Sequence, residues 1–208
     1  TSPEDSFLKQ ALKRTEVTLG TNRSVIEPFR GESISSFTLS QSSYYHDVFD
    51  QVYGSNGFND IFWYAVFKSK NAAELREYLS REMPSEKAKV FALQWISAGL
   101  YNAYNRDMYD RGEHVEISDD AMFDSLNRVS RGNFEGSGGI CGNISTFVAR
   151  SAQAMNIEAW VQNASPKEYN HIVAGLMLKH DNRDEIGFID RDSLIRTGTT
   201  NYKDALGI

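Results

Sequence analysis

The sequence predicts an α+β fold, and three observations carry that prediction. Apolar residues recur at helical spacing in most of the segments before about position 155. The pattern then changes: IEAWVQ (157–162) alternates, HIVAGLML (171–178) is one apolar run, and EIGFID (185–190) reads as a further strand. Between the two regimes, GSGGICGNISTFVARSAQAM (136–155) holds the chain's only cysteine, Cys141, behind a glycine run. Helices first, then a helix feeding an antiparallel sheet, is the α+β order.

The elements follow in turn. Residues 3–19 read as a helix, opened by Pro3 and Glu4, with Phe7, Leu8, Ala11 and Leu12 on one face. Residues 20–43 are rich in Gly, Ser, Thr and Asn and read as a long surface loop. Residues 44–68 are aromatic-rich and split by GSNG at 54–57 into two short segments, whose rings fit core packing better than a binding surface. Asn71–Met83 is helical until Pro84 breaks it, and Ser85-Glu86 opens a long helix to about Tyr104. NRDMYDRGEHVEI (105–117) reads as loop, and Ser118 caps a helix running to about Val129. Ile144, Phe147, Val148, Ala152 and Met155 give an amphipathic helix ending near Asn156. HIVAGLML is long and apolar enough to be a central strand buried on both faces, and HDNRD (180–184) is the turn after it. This divides the chain into a mostly helical part, 1–134, packed on a core of 135–208, the two forming one compact domain.

Bulk properties narrow the function. The 208 residues are 40% hydrophobic, enough for a sizeable core, and carry net charge −6. That balance argues against a nucleic-acid binder, which shows a basic face, and against a surface seeking anionic lipid. One cysteine excludes an internal disulfide framework and a cysteine-rich zinc site. No apolar run approaches the roughly 18 residues a membrane span needs. The acids of DNRDEIGFIDRD lack calcium-loop spacing, and no cofactor is expected. Thr1 in place of Met reads as a processed end, leaning toward a secreted or periplasmic location with a cytoplasmic one open, and NYKDALGI reads as chain in progress.

A lone cysteine is most often a small buried hydrophobe. Cys141 has a second reading, because it sits where a glycine-rich turn becomes a helix. Unpaired backbone N–H groups and the positive end of the helix dipole favour thiolate there. Gly136, Gly138 and Gly139 would let the backbone pass close to a substrate. His171 opens the next strand, and an acid lies on its face of the hairpin. A two-residue loop at Asp181-Asn182 puts His171 opposite Asp192; a four-residue loop puts it opposite position 194. Side chains alternate, so Asp190 and Asp192 both share its face, Asp190 as a diagonal neighbour. Cys141, His171 and an acid are the set for nucleophilic acyl transfer: a thiolate attacks a carbonyl, an imidazole moves the proton, and a carboxylate fixes the imidazole tautomer. His46, His114 and His180 read as ordinary polar residues.

Over GGICGNISTFVARSAQAMNIEAWVQ, NHIVAGLML and GFID the chain resembles the transglutaminase-like superfamily of papain-fold cysteine enzymes. The likeness covers roughly residues 135–192. It implies a papain-like core in which the Cys141 helix packs on an antiparallel sheet, and it tips the choice of acid to Asp190, which closes its strand. Asn143 stands where that family often has Asp or Glu, and Ile172-Val173 where it often has an aromatic; both departures bear on the substrate. The activity implied is acyl transfer on peptide or protein amides through a Cys141 thioester, with hydrolysis favoured over protein crosslinking because no long insert or calcium signature accompanies the core. The backbone N–H of Cys141 would bind the oxyanion, and Gln94, or Trp95 beside it, is the candidate helper from the long helix. The rival, from another class, is a protein-binding module that keeps the fold without catalysis and uses the aromatic 44–68 segment as its surface.

Overall fold

The computed structural model describes residues 57–83, 85–164, 171–179, 184–191 and 193–206. The helix expected at 3–19, the loop at 20–43, the first aromatic segment, His46, His180 and Asp192 lie outside the described residues. The described chain is α+β. Helices α1 (Gly57–Lys68), α2 (Ala72–Glu82), α3 (Glu86–Asn102), α4 (Arg106–Asp110), α5 (Asp119–Ser130) and α6 (Cys141–Ala154) come first. Strands β1 (Ala159–Asn163), β2 (Ile172–Lys179), β3 (Asp184–Asp190) and β4 (Ser193–Arg196) follow, with α7 (Tyr202–Leu206) after them. No helix among the described residues is long and apolar enough to cross a membrane.

The helix starts follow the caps in the sequence. Asn71, Ser85 and Ser118 each accept a hydrogen bond from a backbone N–H three residues on. At the end of α6, Asn156 takes the left-handed conformation at φ 63°, and Ile157 N–H returns to the Ala152 carbonyl at 2.9 Å. This left-handed cap delays β1 to Ala159, two residues later than the alternation alone predicts.

The sheet is antiparallel in the order β1-β2-β3-β4. Strand β2 is therefore interior, as its apolar run requires. Leu176 and Ala174 pack into a large core built with α1, α2, α3, α5 and α6. Val173 lies on the other face with Trp160, Ile186, Phe188 and Ile195, where α7 brings Ala205 and Tyr202. The large core draws on both the helical stretch and the sheet.

Helix α3 touches α2, α5, α6 and β3 and is buried on most sides, which is why its apolar residues do not keep to one stripe. Three elements differ from the sequence expectation. Asn105 caps the five-residue α4 by accepting from Met108 N–H at 3.0 Å, inside a stretch whose polarity reads as loop. Strand β4 forms across a two-residue turn from Asp190 to Ser193. Helix α7 is one turn and a half, too short for a periodic signal.

Candidate functional site

Cys141 is the first residue of α6, so its own N–H and those of the next residues have no carbonyl within the helix to bond. The turn before it is held from several sides. Gly138 N–H donates to the Ala103 carbonyl at 2.6 Å, and Asn105 N–H to the Gly139 carbonyl at 2.8 Å. The Asn143 side chain accepts from Ile140 N–H at 3.0 Å and donates to the Val115 carbonyl at 2.8 Å.

These contacts correct the role expected of the glycines. A Cβ at Gly138 would stand 2.8 Å from the Leu100 carbonyl oxygen, and Gly139 needs φ +72° with a Cβ 2.7 Å from Asn143. The glycines let the turn close on the end of α3; what comes near them is protein backbone and Asn143, not open space for a substrate.

His171 stands just before β2 and Asp190 ends β3. Ala174 pairs with Ile189 and Lys179 with Asp184. Carried one step past its last pair, that register sets Val173 opposite Asp190 and His171 two residues further on the same face. The pair is thus the diagonal one, and His171 Nε2 lies 2.7 Å from Asp190 Oδ1. The side chains are 15% and 9% exposed. Two further bonds hold the arrangement: Ala164 N–H donates to the His171 carbonyl at 2.8 Å, and Ser145 Oγ of α6 to the Ile172 carbonyl at 3.0 Å.

Nε2 is the ring nitrogen on Asp190, and Cys141 and His171 lie side by side on one cleft, close enough for each to shift the protonation of the other. Burial pushes the Cys141 thiol up. Hydrogen bonding to His171, its charge, and the backbone N–H groups of Ile172 and Gly142 more than reverse that, leaving the thiol below its ordinary value. Burial likewise opposes protonation of His171, but Asp190 and Cys141 overcome it and raise the imidazole to about 9. The arrangement favours thiolate beside imidazolium, titrating as a pair.

Cys141 and His171 open onto a cleft of about 330 Å³ lined, among the described residues, by Tyr101, Tyr104, Arg106, Tyr109 and Arg191 as well. The Tyr101 and Tyr104 rings stack 5.6 Å apart. Burial first, then neighbouring Asp190 and Cys141, pushes the Tyr101 phenol far above its usual range. Burial and Cys141 push Tyr104 up to about 12. Both phenols therefore remain neutral donors. A larger hollow, about 490 Å³, opens between α2 and the end of α6 beside Arg76, Glu77 and Arg81, and it holds neither cysteine nor histidine.

Gln94 is not at the cleft. It is buried in α3, seven residues before Tyr101, which is about 10 Å along the axis. The end of α3 that reaches Cys141 is its C-terminal end, so the helix brings Tyr101 to the site and leaves Gln94 in the core. Trp95 is absorbed in a ring cluster with Phe62, Trp63 and Phe91. The tyrosines and arginines were missed because YNAYNRDMYDR mixes a helix end with polar residues; its density of Tyr and Arg was the available signal. His114 is exposed. Among the described residues no group of His, Cys, Asp and Glu is arranged to hold a metal ion. Comparison with family models, with curated proteins and with solved structures finds no match for this chain.

Proposed function

We propose that the chain is a thiol-dependent acyl-transfer enzyme of the transglutaminase-like, papain-fold kind, hydrolysing amides of peptides or proteins. The observation that carries this reading is the His171 ring, bonded to Asp190 at 2.7 Å through Nε2 and set beside Cys141 on the same cleft. A merely structural cysteine has no need of an imidazole that is itself oriented by a carboxylate.

In this mechanism the Cys141 thiolate attacks the amide carbon and the carbonyl π electrons move to oxygen. The Cys141 N–H at the start of α6, together with the neutral phenols of the cleft, supplies donors for that oxyanion. The oxyanion collapses, the C–N bond breaks, and the His171 imidazolium gives its proton to the leaving amine, leaving a thioester. Neutral His171 then takes a proton from water as the water attacks, and breaking the C–S bond restores thiolate and imidazolium. Asp190 holds the ring orientation through both halves. Water is preferred as acceptor because the cleft, about 330 Å³, is at the small end for one substrate group and offers little for a second chain.

Incubation of the wild type and Cys141→Ala with a casein digest, read by mass spectrometry, tests this. The wild type is expected to release new termini and Cys141→Ala none, with the melting temperature of the variant close to wild type because Cys141 lies at a helix start beside an open cleft. Mass-conserving crosslinks in place of cleavage would move the reading to a transglutaminase. Equal products from both proteins would overturn it.

A further inference from the structure

We propose that the Cys141 cleft selects acyl groups carrying a carboxylate, gripped by Arg191 with Arg106 as a second cation. The inference rests on the thiol-enzyme reading above and names the substrate class for it.

The chain as a whole is acidic, with 28 Asp and Glu against 22 Lys and Arg. The described lining of the cleft reverses that balance: two arginines, three tyrosines, Cys141 and His171, and no carboxylate. Arg191 directly follows Asp190 in the turn between β3 and β4 and holds φ at +57°. A long side chain is unfavourable in that left-handed conformation, which glycine or asparagine would take with less strain. Arg191 is exposed, and from this turn it lines the cleft beside Tyr101, Tyr104 and Cys141.

The Arg191 guanidinium has no ion pair or hydrogen bond among the described residues. Its charge is felt by the phenols of Tyr101 and Tyr104, which it opposes being raised further. It therefore stands near the reacting sulfur with its planar fork of donors unspent, and such a fork matches a carboxylate with two parallel bonds. Arg106 lies over the Tyr109 ring at 5.2 Å and bonds Asp110 at 3.1 Å. Both partners of that ion pair are more than half exposed, and pairs of this kind are weak enough to exchange for a bound anion. A neutral substrate would leave Arg191 merely hydrated; an acidic one would use it.

Alkylation by iodoacetate and by iodoacetamide tests the proposal without a known substrate. In each reaction the Cys141 sulfur forms a bond to the reagent's methylene carbon as iodide leaves, and the reagents differ by one negative charge. Both consume the same thiolate, so the ratio of their rates cancels any change in thiolate population. The His171 imidazolium favours the anion in every variant, so the effect of each arginine shows as a change in that ratio. Arg191→Gln should lower the iodoacetate-to-iodoacetamide ratio by about three- to tenfold, the size of one nearby charge at a part-exposed site. Arg106→Gln should lower it less, and Arg191→Lys should keep it within about twofold of wild type because the charge stays. Arg81→Gln, on the solvent face of α2, should leave it unchanged. An unchanged ratio in Arg191→Gln, with Cys141 reactive to both reagents, would overturn the proposal alone. A wild-type Cys141 inert to both reagents would overturn the thiol-enzyme reading, and this inference with it.

Discussion

Helix α6 carries a buried ionic cluster near each end, and the two clusters are built differently. Toward its C-terminal end, Arg76 of α2 reaches in, 6% exposed, to Ser151 Oγ at 3.0 Å and to both oxygens of Asp119. It also stacks over the Phe147 ring at 4.7 Å. Each nitrogen of that guanidinium has an acceptor, so the cluster is closed. At the N-terminal end, Cys141, His171 and Asp190 form a chain with an acid at one end and a sulfur on the cleft at the other. The same ingredients, a helix, a buried charge and partners from other elements, make a brace in one place and set a thiol against a cleft in the other. The closed cluster is expected to govern stability and the open one rate.

Asp190→Asn separates the two clusters most strongly. Losing the carboxylate while keeping the shape is expected to slow turnover by up to about 10⁴-fold, as in serine triads, with the fold kept. A pH profile distinguishes this from general damage. His171 is raised from 6.5 to about 9, so between those values the folded protein holds a proton that the unfolded chain has released. The stability from this group is complete below the ordinary imidazole value and lost as pH rises through about 9. In the wild type, kcat/KM should rise as Cys141 ionises below the ordinary thiol range and fall near pH 9. In Asp190→Asn the alkaline limb should move down, because the hydrogen bond and the charge that raise His171 are gone. A limb that stays near 9 would remove Asp190 from the pair.

The opposite pattern is expected for Arg76→Ala. Removing one partner of a largely buried pair costs about 3 kcal/mol, because Asp119 and Ser151 lose their donors. Denaturant unfolding should show that loss, while the folded fraction keeps wild-type alkylation of Cys141. Equal loss of thiol reactivity, measured below the unfolding transition, would show that the two ends of α6 are not separable.

The open end of α6 was more legible in the sequence than its surroundings. Cys141 stands out by composition, and a helix starts where glycines give way to apolar periodicity. His171 and Asp190 share a face by parity, and their side chains lie 2.7 Å apart. The choice of Asp190 over Asp192 needed the resemblance as well as the pleat, since both acids satisfy parity. The cleft wall was not legible. Tyr101 and Tyr104 fall at the end of the long helix, where the pattern assigns them no role, and α4 is too short for periodicity to register. Strand β4 was missed because Arg-Asp lacks the Asn-Gly chemistry of a tight hairpin turn, so the left-handed Arg191 could not be anticipated. Gln94 looked like a helper because a glutamine in an apolar helix invites a polar role. Which end of α3 meets Cys141 is a tertiary fact, and local pattern does not contain it.

Ser145→Ala is the mildest of these changes, because it touches the joint between α6 and the sheet and leaves Cys141, His171 and Asp190 in place. Ser145 is 5% exposed, and its hydroxyl donates to the Ile172 carbonyl at 3.0 Å, one residue past His171. The bond ties the second turn of α6 to the start of β2 and so helps set the approach of the sulfur to the ring. Ser145→Ala removes one neutral buried hydrogen bond, a loss of about 1 kcal/mol in unfolding. Ile144, Phe147 and Val148 still press α6 on the sheet, and Ala164 N–H still holds the His171 carbonyl at 2.8 Å. The shift in geometry should therefore be a fraction of an ångström and the drop in kcat less than about tenfold, well short of the hundredfold that a full 1 Å displacement can cause. The substrate contacts of the cleft are untouched, so KM should hold while kcat falls. A drop confined to kcat with an unmoved alkaline limb marks Ser145 as a positioning residue. Loss of stability with kcat unchanged would put it with the closed cluster, as a brace that catalysis does not use.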